Sequence, residues 1–383
     1  MPTLQDSPFR NQTLNWRHTA TAFDAVCGLL HFESRERFVV LRYAESGEFL
    51  VTRVSIIIKA YNEEVHIASA IESALAALPS PEGEVVLVDS ASVDKTLECA
   101  LPYPISIFRI ANASERCCGA GPQIGYAHAK GDFLCLMDGD MVLDKEFIKT
   151  ALAFLNDHPD VAGVGGRIDE MSTENIEFKN RARNLSHLNP LGEVDRLAGG
   201  GLYRRSAIDE LGYLTDRNLH GYEEFDLGAR LRSSGWKLVR LNVPAAKHFG
   251  HTSSTYRLLF HRVKMGYIFA PGEMLRASIN ARYFARVIRS LREFKLWVAV
   301  LGYWSAFALL TLFTSYGAAF AALALLGVAA IIVALTVWKK SFSNGTYMVI
   351  GWHVFTIGML FGLFRPRISP LKPLTVETLR LSR

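Results

Sequence analysis

Hydrophobic positions along the chain fall into two regimes. Between residues 53 and 137 they come as short runs, at 54–58, 85–88, 105–110 and 133–137. Runs of this length, mostly apolar and with β-branched residues in the first three, predict strands buried on both faces of a parallel sheet. Helical periodicity fills the intervals at 65–78, 95–100 and 125–130. Successive strand–helix units predict an α/β domain with helices on both faces of its sheet. The second regime is residues 296–338, 43 positions without Asp, Glu, Lys, Arg or His. That length accommodates two membrane spans of about 20 residues, with a hairpin at Thr314-Ser315-Tyr316-Gly317. A third apolar stretch, 346–364, is interrupted only by His353. Residues 1–50 carry no apolar h-region, so no signal peptide is expected. Residues 38–43 and 48–51 predict a short hairpin.

Composition agrees with a folded, membrane-associated chain. Half of the 383 residues are hydrophobic and 21% are charged, which excludes a disordered protein. Five cysteines, Cys27, Cys99, Cys117, Cys118 and Cys135, make neither a disulfide framework nor a metal spacing and read as free thiols. The net charge of +5 and pI of 8.9 are thinly spread, so no nucleic-acid partner is expected, and the mean hydropathy of +0.15 points to membrane lipids instead.

Charge also orients the spans. Arg282, Arg286, Arg289, Arg292 and Lys295 precede the first, Lys339 and Lys340 follow the second, and the hairpin between is uncharged. By the positive-inside rule the N-terminal part lies on the cytoplasmic side of a plasma or inner membrane. A third full span would put Arg365, Arg367 and Lys372 on the far side. Either that segment is re-entrant or interfacial, or the tail is translocated despite its charge. Residues 256–295 hold nine Arg and Lys against Glu273 and Glu293. Arg282, Arg286 and Arg289 share one helical face, with Ile279, Val287, Leu291 and Phe294 on another, which predicts helices on an anionic membrane surface. Pro271-Gly272 would divide the region in two.

Ligands of parallel sheets sit beyond the carboxyl ends of strands. After the first strand comes Lys59-Ala60-Tyr61-Asn62-Glu63-Glu64, which is neither the glycine fingerprint of dinucleotide binding nor a P-loop. After the second comes Asp89-Ser90-Ala91-Ser92, where Asp89 either caps a turn or binds a nucleoside. After the fourth comes Asp138-Gly139-Asp140. Two carboxylates across one glycine can converge on a hard cation whose shell is completed by water and phosphate oxygens.

In their order and spacing, residues 54–62, 85–96 and 131–140 resemble the family 2 glycosyltransferases of GT-A fold, over about residues 53–255. The resemblance implies a nucleotide-diphosphate-sugar donor, a divalent metal (Mn²⁺ or Mg²⁺) and inversion at the anomeric carbon. It implies that Ala60, Tyr61, Glu63 and Asp89 hold the nucleoside. Asp138 and Asp140 would serve ribose, diphosphate and metal. Further on, Gly199-Gly200-Gly201 with Arg204 and Arg205 resembles the family's small-residue segment. The run 221–227, with Glu223 and Glu224, resembles its "ED" segment. The run 246–251 resembles the stretch whose histidine joins the metal shell, here His248 with His251 as fallback. Glu224 is then the base that takes the acceptor proton, and Glu223 its rival. The chain departs from the family at Lys59, where proline is common, and at Ser90-Ala91, where Asp-Gly is usual. Pro122-Gln123 stands in place of Arg-Asn, with Arg116 a candidate substitute, and Glu224 stands in place of Asp.

The expected organisation is an N-terminal extension (1–50), a GT-A domain (51–255), basic interfacial helices (256–295), transmembrane helices (296–364) and a basic tail (365–383). The leading reading is a membrane-anchored inverting glycosyltransferase that extends a lipid-linked or cell-surface glycan. A transferase acting on polyprenyl phosphate and a non-catalytic scaffold on the same fold are the alternatives. A processive synthase is disfavoured because no QxxRW segment precedes the spans, and a nucleotidyltransferase because no glycine-rich loop follows the first strand.

Overall fold

The structure is a computed structural model. It describes residues 41–43, 49–51, 53–172, 174–183, 189–197, 199, 201–250, 253–291 and 294–382. Strands β1 (Leu41–Tyr43) and β2 (Phe49–Val51) pair antiparallel as the predicted hairpin.

Each predicted apolar run is a strand. These are β3 (Val54–Ala60), β4 (Glu84–Asp89), β5 (Ser106–Ile110) and β6 (Phe133–Asp138), all mutually parallel in the order β5-β4-β3-β6. Ile56, Ile57 and Ile58 are at most 1% exposed. Burying such a side chain stabilises the fold by about 1.5–3 kcal/mol, which is why an unalternating run forms a central strand. Between the strands lie α1 (Ile67–Ala77), α2 (Thr96–Ala100) and α3 (Ala120–His128). Helix α3 begins five residues before the predicted periodicity: Pro122 sits in its first turn, where no intrahelical hydrogen bond is lost, and Gly121 packs closely on Lys59 of β3.

Beyond β6 the sheet becomes mixed. Next in the chain come β7 (Met141–Leu143), α4 (Phe147–Asp157), β8 (Val161–Glu170), α5 (Ile176–Arg183), β9 (Gly192–Glu193), β10 (Leu202–Arg204), α6 (Arg205–Leu211), α7 (Glu223–Ser233) and β11 (Lys237–His248). Strand β10 lies antiparallel between β6 and β8, β11 runs parallel to β8, and β7 and β9 pair antiparallel with β11. Two apolar clusters cover the two faces of this sheet, one around Ile56, Ile58 and Phe147 and the other around Ile57, Leu134 and Tyr203.

The membrane-proximal region departs from expectation in three ways. It holds three helices, α8 (Thr255–Lys264), α9 (Ala270–Ser278) and α10 (Phe284–Ser290). The first break falls at Gly266, which has φ +81°, while Pro271 occupies the first turn of α9, where a missing N–H costs nothing. Val287 and Leu291 do not face outward: both are buried with Met274, Leu275, Leu219 and Phe225. The exposed apolar stripe is on α8 instead, at Tyr256, Phe260 and Val263.

Three long apolar helices follow, α11 (Phe294–Phe313), α12 (Gly317–Lys339) and α13 (Phe342–Phe364), each of a length and composition that can cross a membrane. The basic tail ends in an unpredicted strand, β12 (Val376–Arg380), antiparallel to β5 at the sheet edge.

Candidate active site

Three parallel strands end side by side, and their register sets the first geometry. Ala60 stands opposite Asp89, and Lys59 opposite Asp138. Ala60 is buried and its carbonyl accepts the Ser90 N–H. The loops after β3 and β4 are laced together. Asn62 N–H donates to Ser92 Oγ (2.9 Å), Asn62 Oδ1 accepts the Val93 N–H (2.9 Å), and Glu63 N–H donates to Thr96 Oγ1 (2.7 Å). Ala91, standing where the family has glycine, adopts φ +57°, a left-handed conformation that costs an L-residue about 1–2 kcal/mol. The Arg116 guanidinium stacks 4.0 Å above the Tyr61 ring, while Gln123 braces the far loop by accepting the N–H groups of Leu214 and Thr215.

Asp89 is fully buried. Its Oδ2 accepts the Ser92 N–H at 3.0 Å and lies 3.6 Å from Arg109 Nε, and Oδ1 has no partner among the described residues. Burial raises its pKa, and Ser92 and Arg109 oppose the rise. A buried carboxylate oxygen without a donor is poised to accept one from a ligand.

Strand β11 lies between β7 and β8, so His248 is flanked in register by Met141 and Glu170. Its Nε2 is 3.2 Å from Asp140 Oδ2, and its Nδ1 bonds Glu170 Oε1. Burial opposes the imidazolium, but Asp140 and Glu170 outweigh it and push the His248 pKa up to about 10. Glu63 faces the same place. Burial first, then Asp140 and Asp138, raise its pKa to about 8. Carboxylates that repel one another in this way call for a cation. The hard oxygen donors of Asp138 and Asp140, with the adjacent His248 nitrogen, suit Mn²⁺ or Mg²⁺. Among the described residues no three His, Cys, Asp or Glu side chains form a ready cage. A metal that takes one or two protein carboxylates and fills its shell with water and phosphate needs none.

The second half of the site comes from the start of α7. Tyr222, at φ +65°, turns the chain sharply into the helix, whose first turn carries Glu223, Glu224 and Asp226. The three diverge in role. Asp226 is bound to Arg230 at 2.8 Å and accepts from Tyr283 Oη (3.2 Å), and Arg230 also donates to the carbonyls of Tyr213 and Leu214. It is a structural anchor. Glu223 Oε1 is 2.6 Å from Lys59 Nζ, which also lies 3.2 Å from Asp138 Oδ1. Burial opposes the Lys59 charge, but Asp138 and Glu223 outweigh it and hold its pKa well above the usual lysine range. Among the described residues Glu224 forms no such ion pair. Its Oε1 accepts the Gly199 N–H at 2.8 Å. Burial and the neighbouring Glu223 raise its pKa to about 7, against the pull of Lys59. Lys59, Asp138, Gly199, Thr215, Glu223 and Glu224 line one pocket.

The structure thus brings Ala60, Tyr61, Glu63, Asp89, Asp138, Asp140, Glu223, Glu224 and His248 to one end of the sheet; His251 and Gly200 lie outside the described residues. Sequence reasoning assigns no role to two residues of this site, Lys59 and Glu170. Lys59 had one signal, a charge ending an otherwise apolar buried run. Glu170 had none, because only the β8–β11 register puts it beside His248.

Residues 55–212 match the family model "Glycosyl transferase family 2". The poly(ribitol-phosphate) beta-N-acetylglucosaminyltransferase TarS of Staphylococcus aureus is 30% identical over 147 residues, covering 36% of this chain and 25% of TarS. The chain therefore spans about a quarter of that relative. The putative glycosyltransferase EpsE of Bacillus subtilis is 29% identical over 199 residues, 48% of this chain and 68% of EpsE. Among solved structures, the mannosyltransferase PcManGT from Pyrobaculum calidifontis, in complex with GDP-Man and Mn²⁺, is 18% identical, covers 90% of this chain and 94% of its own, and superposes with a TM-score of 0.55. That likeness establishes the GT-A fold.

Proposed function

The chain carries a glycosyl transferase family 2 domain, and on that premise we propose that it is a membrane-anchored inverting glycosyltransferase. It moves a sugar from a nucleotide-diphosphate donor to a hydroxyl of a lipid-linked or cell-surface glycan. The observation that carries this reading is the pocket itself. Two neighbouring strand ends supply Lys59 and Asp138, a helix start supplies Glu223 and Glu224, and all four face one space.

Each residue has a task in such a transfer. Asp89, with its free buried oxygen, and Tyr61, held under Arg116, receive the nucleoside. Asp138 and Asp140, with His248, would hold a divalent cation, and that metal would stabilise the leaving diphosphate as a Lewis acid. Glu224 is the base. Its pKa of about 7 suits proton transfer at neutral pH, and its carboxylate is not neutralised by Lys59 as Glu223 is. The acceptor oxygen attacks the anomeric carbon, its proton passes to Glu224, and the bond from carbon to the diphosphate oxygen breaks on the opposite face. Lys59, paired with Glu223 and Asp138, offsets part of the negative charge they place beside Glu224.

The acceptor class rests on position. Helices α8 and α9 adjoin the pocket: Arg116 Nη2 reaches Met265 Sδ (3.8 Å), and Glu273 binds His220, three residues before Glu223. A membrane-borne acceptor would meet the site there. Polyprenyl phosphate is the second reading for the same reason. The test is donor binding and turnover by the purified full chain. A panel including UDP-GlcNAc and GDP-Man, with Mn²⁺ or Mg²⁺, is set beside Asp140→Ala. Metal-dependent binding of one donor, lost in the variant, supports the reading, and no donor binding under any metal refutes it. Transfer to polyprenyl phosphate rather than to a glycan would select the second reading.

A further inference from the structure

The third apolar helix is long enough to cross a bilayer, yet both of its ends are tied to the catalytic side. Near its start, the Tyr347 ring packs edge-on against Tyr256 of α8, with centroids 5.8 Å apart. Tyr256 itself follows Ser253 and Thr255, which bond Asn175 and the Ile176 N–H of the GT-A domain. Near its end, α13 lies directly on α9 and the turn before it. A Cβ added at Gly358 would overlap the Ile268 carbonyl, one at Gly362 the Phe269 carbonyl, and one at Gly272 the Met359 carbonyl. Close backbone approach of this kind needs glycine. The chain then leaves α13 through Arg365, 3.4 Å from Glu273, and Arg367, paired with buried Asp216. It continues past Lys372 and Pro373, whose carbonyls accept from Arg217 (2.6 and 2.8 Å), into β12 on the edge of the catalytic sheet.

We propose that α13 lies in the membrane interface on the catalytic side and does not cross, so that the chain crosses the bilayer twice, through α11 and α12. A helix that begins at Tyr256 and ends at Glu273 cannot also traverse about 30 Å of hydrocarbon, because both contacts belong to elements packed on the same domain. Its surface agrees. Ile350, Ile357, Phe361 and Phe364 are exposed at helical spacing on one face, and Val349, Thr356, Met359 and Gly362 are buried on the other. Over the most apolar stretch, 28% of α13 is buried, against 6% in each of α11 and α12. The neighbouring α8 exposes Tyr256, Phe260 and Val263, so the two helices together offer an apolar face to the lipid. Two crossings also remove the charge conflict of a third. Arg365, Arg367 and Lys372 then share one side with Lys339, Lys340 and the arginines before α11, as the positive-inside rule requires.

The inference rests on α11 and α12 being spans, and the experiment separates the two claims. Three full-length variants, Lys145→Cys on the catalytic surface, Ser315→Cys in the hairpin and Lys372→Cys in the tail, are each expressed in membranes. They are labelled with an impermeant maleimide before and after permeabilisation, with the native thiols measured in the unmodified chain. Fusions of a fluorescent protein and of alkaline phosphatase to the intact C-terminus give the same readout without a substitution. Lys372→Cys labelling with Lys145→Cys, and opposite to Ser315→Cys, is the expected result. Lys372→Cys labelling opposite to Lys145→Cys means that α13 crosses and overturns the proposal. All three labelling from one side means that α11 and α12 do not span, which overturns the premise instead.

Discussion

Replacing Glu224 by glutamine should remove transfer and at the same time stabilise the protein. The side chain keeps its shape, and a glutamine Oε1 still accepts the Gly199 N–H that Glu224 accepts at 2.8 Å. What changes is the cost of ionisation. The folded pKa of Glu224 is raised from 4.5 to about 7 by burial and by Glu223. A raised carboxylate pKa means that the folded state disfavours the charged form. The resulting penalty is absent at pH 4, where both states are protonated. It grows from pH 4.5 to 7 as the unfolded state ionises first, and is constant above that. At about 1.36 kcal/mol per pKa unit, the full penalty is of the order of 3 kcal/mol. Glu224→Gln escapes it, so its stability gain should be near zero at pH 4.5 and of that order at pH 8. Loss of a general base should lower kcat by about 10²–10⁴-fold. The assays are denaturant or thermal unfolding of the full chain at pH 4.5 and pH 8, beside sugar transfer from the identified donor. A variant with unchanged turnover would move the base to Glu223. A variant no more stable than the parent at pH 8 would refute the buried, charge-crowded environment on which the assignment rests.

In the unmodified enzyme, kcat/KM should rise with pH through about 7 as Glu224 loses its proton; a profile flat from pH 5.5 to 9 would contradict that. Lys59→Met should move the rising limb to higher pH, because Lys59 is the group that holds the Glu224 pKa down, and Lys59→Arg should restore it; steady-state kinetics against pH decides. Gly125→Ala should destabilise the domain by about 1–2 kcal/mol without altering the donor KM. The new methyl would overlap Ile57 Cγ2 in the packing of α3 on β3, and overpacking outweighs the gain in helix propensity. Thermal unfolding measures the first effect and transfer kinetics the second.

The parts legible in the sequence are those whose cause is local. The runs at 54–58 and 133–137 become strands because their apolar residues must leave water, and the charged Lys59 and Asp138 that follow them are carried to the strand ends. Asp138-Gly139-Asp140 is read from one tripeptide and its position. The parts that were not legible depend on distant register. Glu170 meets His248 only because β8 pairs with β11 in that register. The first break among the interfacial helices was placed at Pro271 by propensity, yet proline is welcome in the first turn of α9 and Gly266 makes the break. Val287 and Leu291 had the spacing of a lipid-facing stripe and are covered by Met274 and Leu275 instead, because periodicity reports a buried face without saying what buries it. Strand β12 has an unremarkable sequence, Val-Glu-Thr-Leu-Arg, and exists because β5 offers an open edge.

The two halves of the site are held by different means, and this has a kinetic consequence. The donor half hangs on the sheet: Asp89, Asp138 and Lys59 end parallel strands whose residues are buried on both faces. The catalytic half hangs on the loop before α7, and that loop is held from both sides: by Gln123, Gly119 and Arg230 of the GT-A domain and by the membrane end of the chain. Glu273 of α9 binds His220 through both its ring and its N–H, Arg367 pairs with Asp216, and Asn218 bonds the backbone of Ile368 in both directions. Loosening these contacts should therefore misplace Glu224 while leaving the donor loops as they are. Arg367→Met removes the cation paired with Asp216, which is fully buried and, among the described residues, keeps only the hydrogen bonds from Asn218; breaking a buried ion pair costs about 3–5 kcal/mol, enough to shift the loop. The expected result is a lower kcat at an unchanged donor Kd, with partial recovery in Arg367→Lys. A misplacement near 1 Å is sufficient for about a hundredfold loss. Equal loss of donor binding and turnover would mean that the tail supports the whole domain rather than the position of its base.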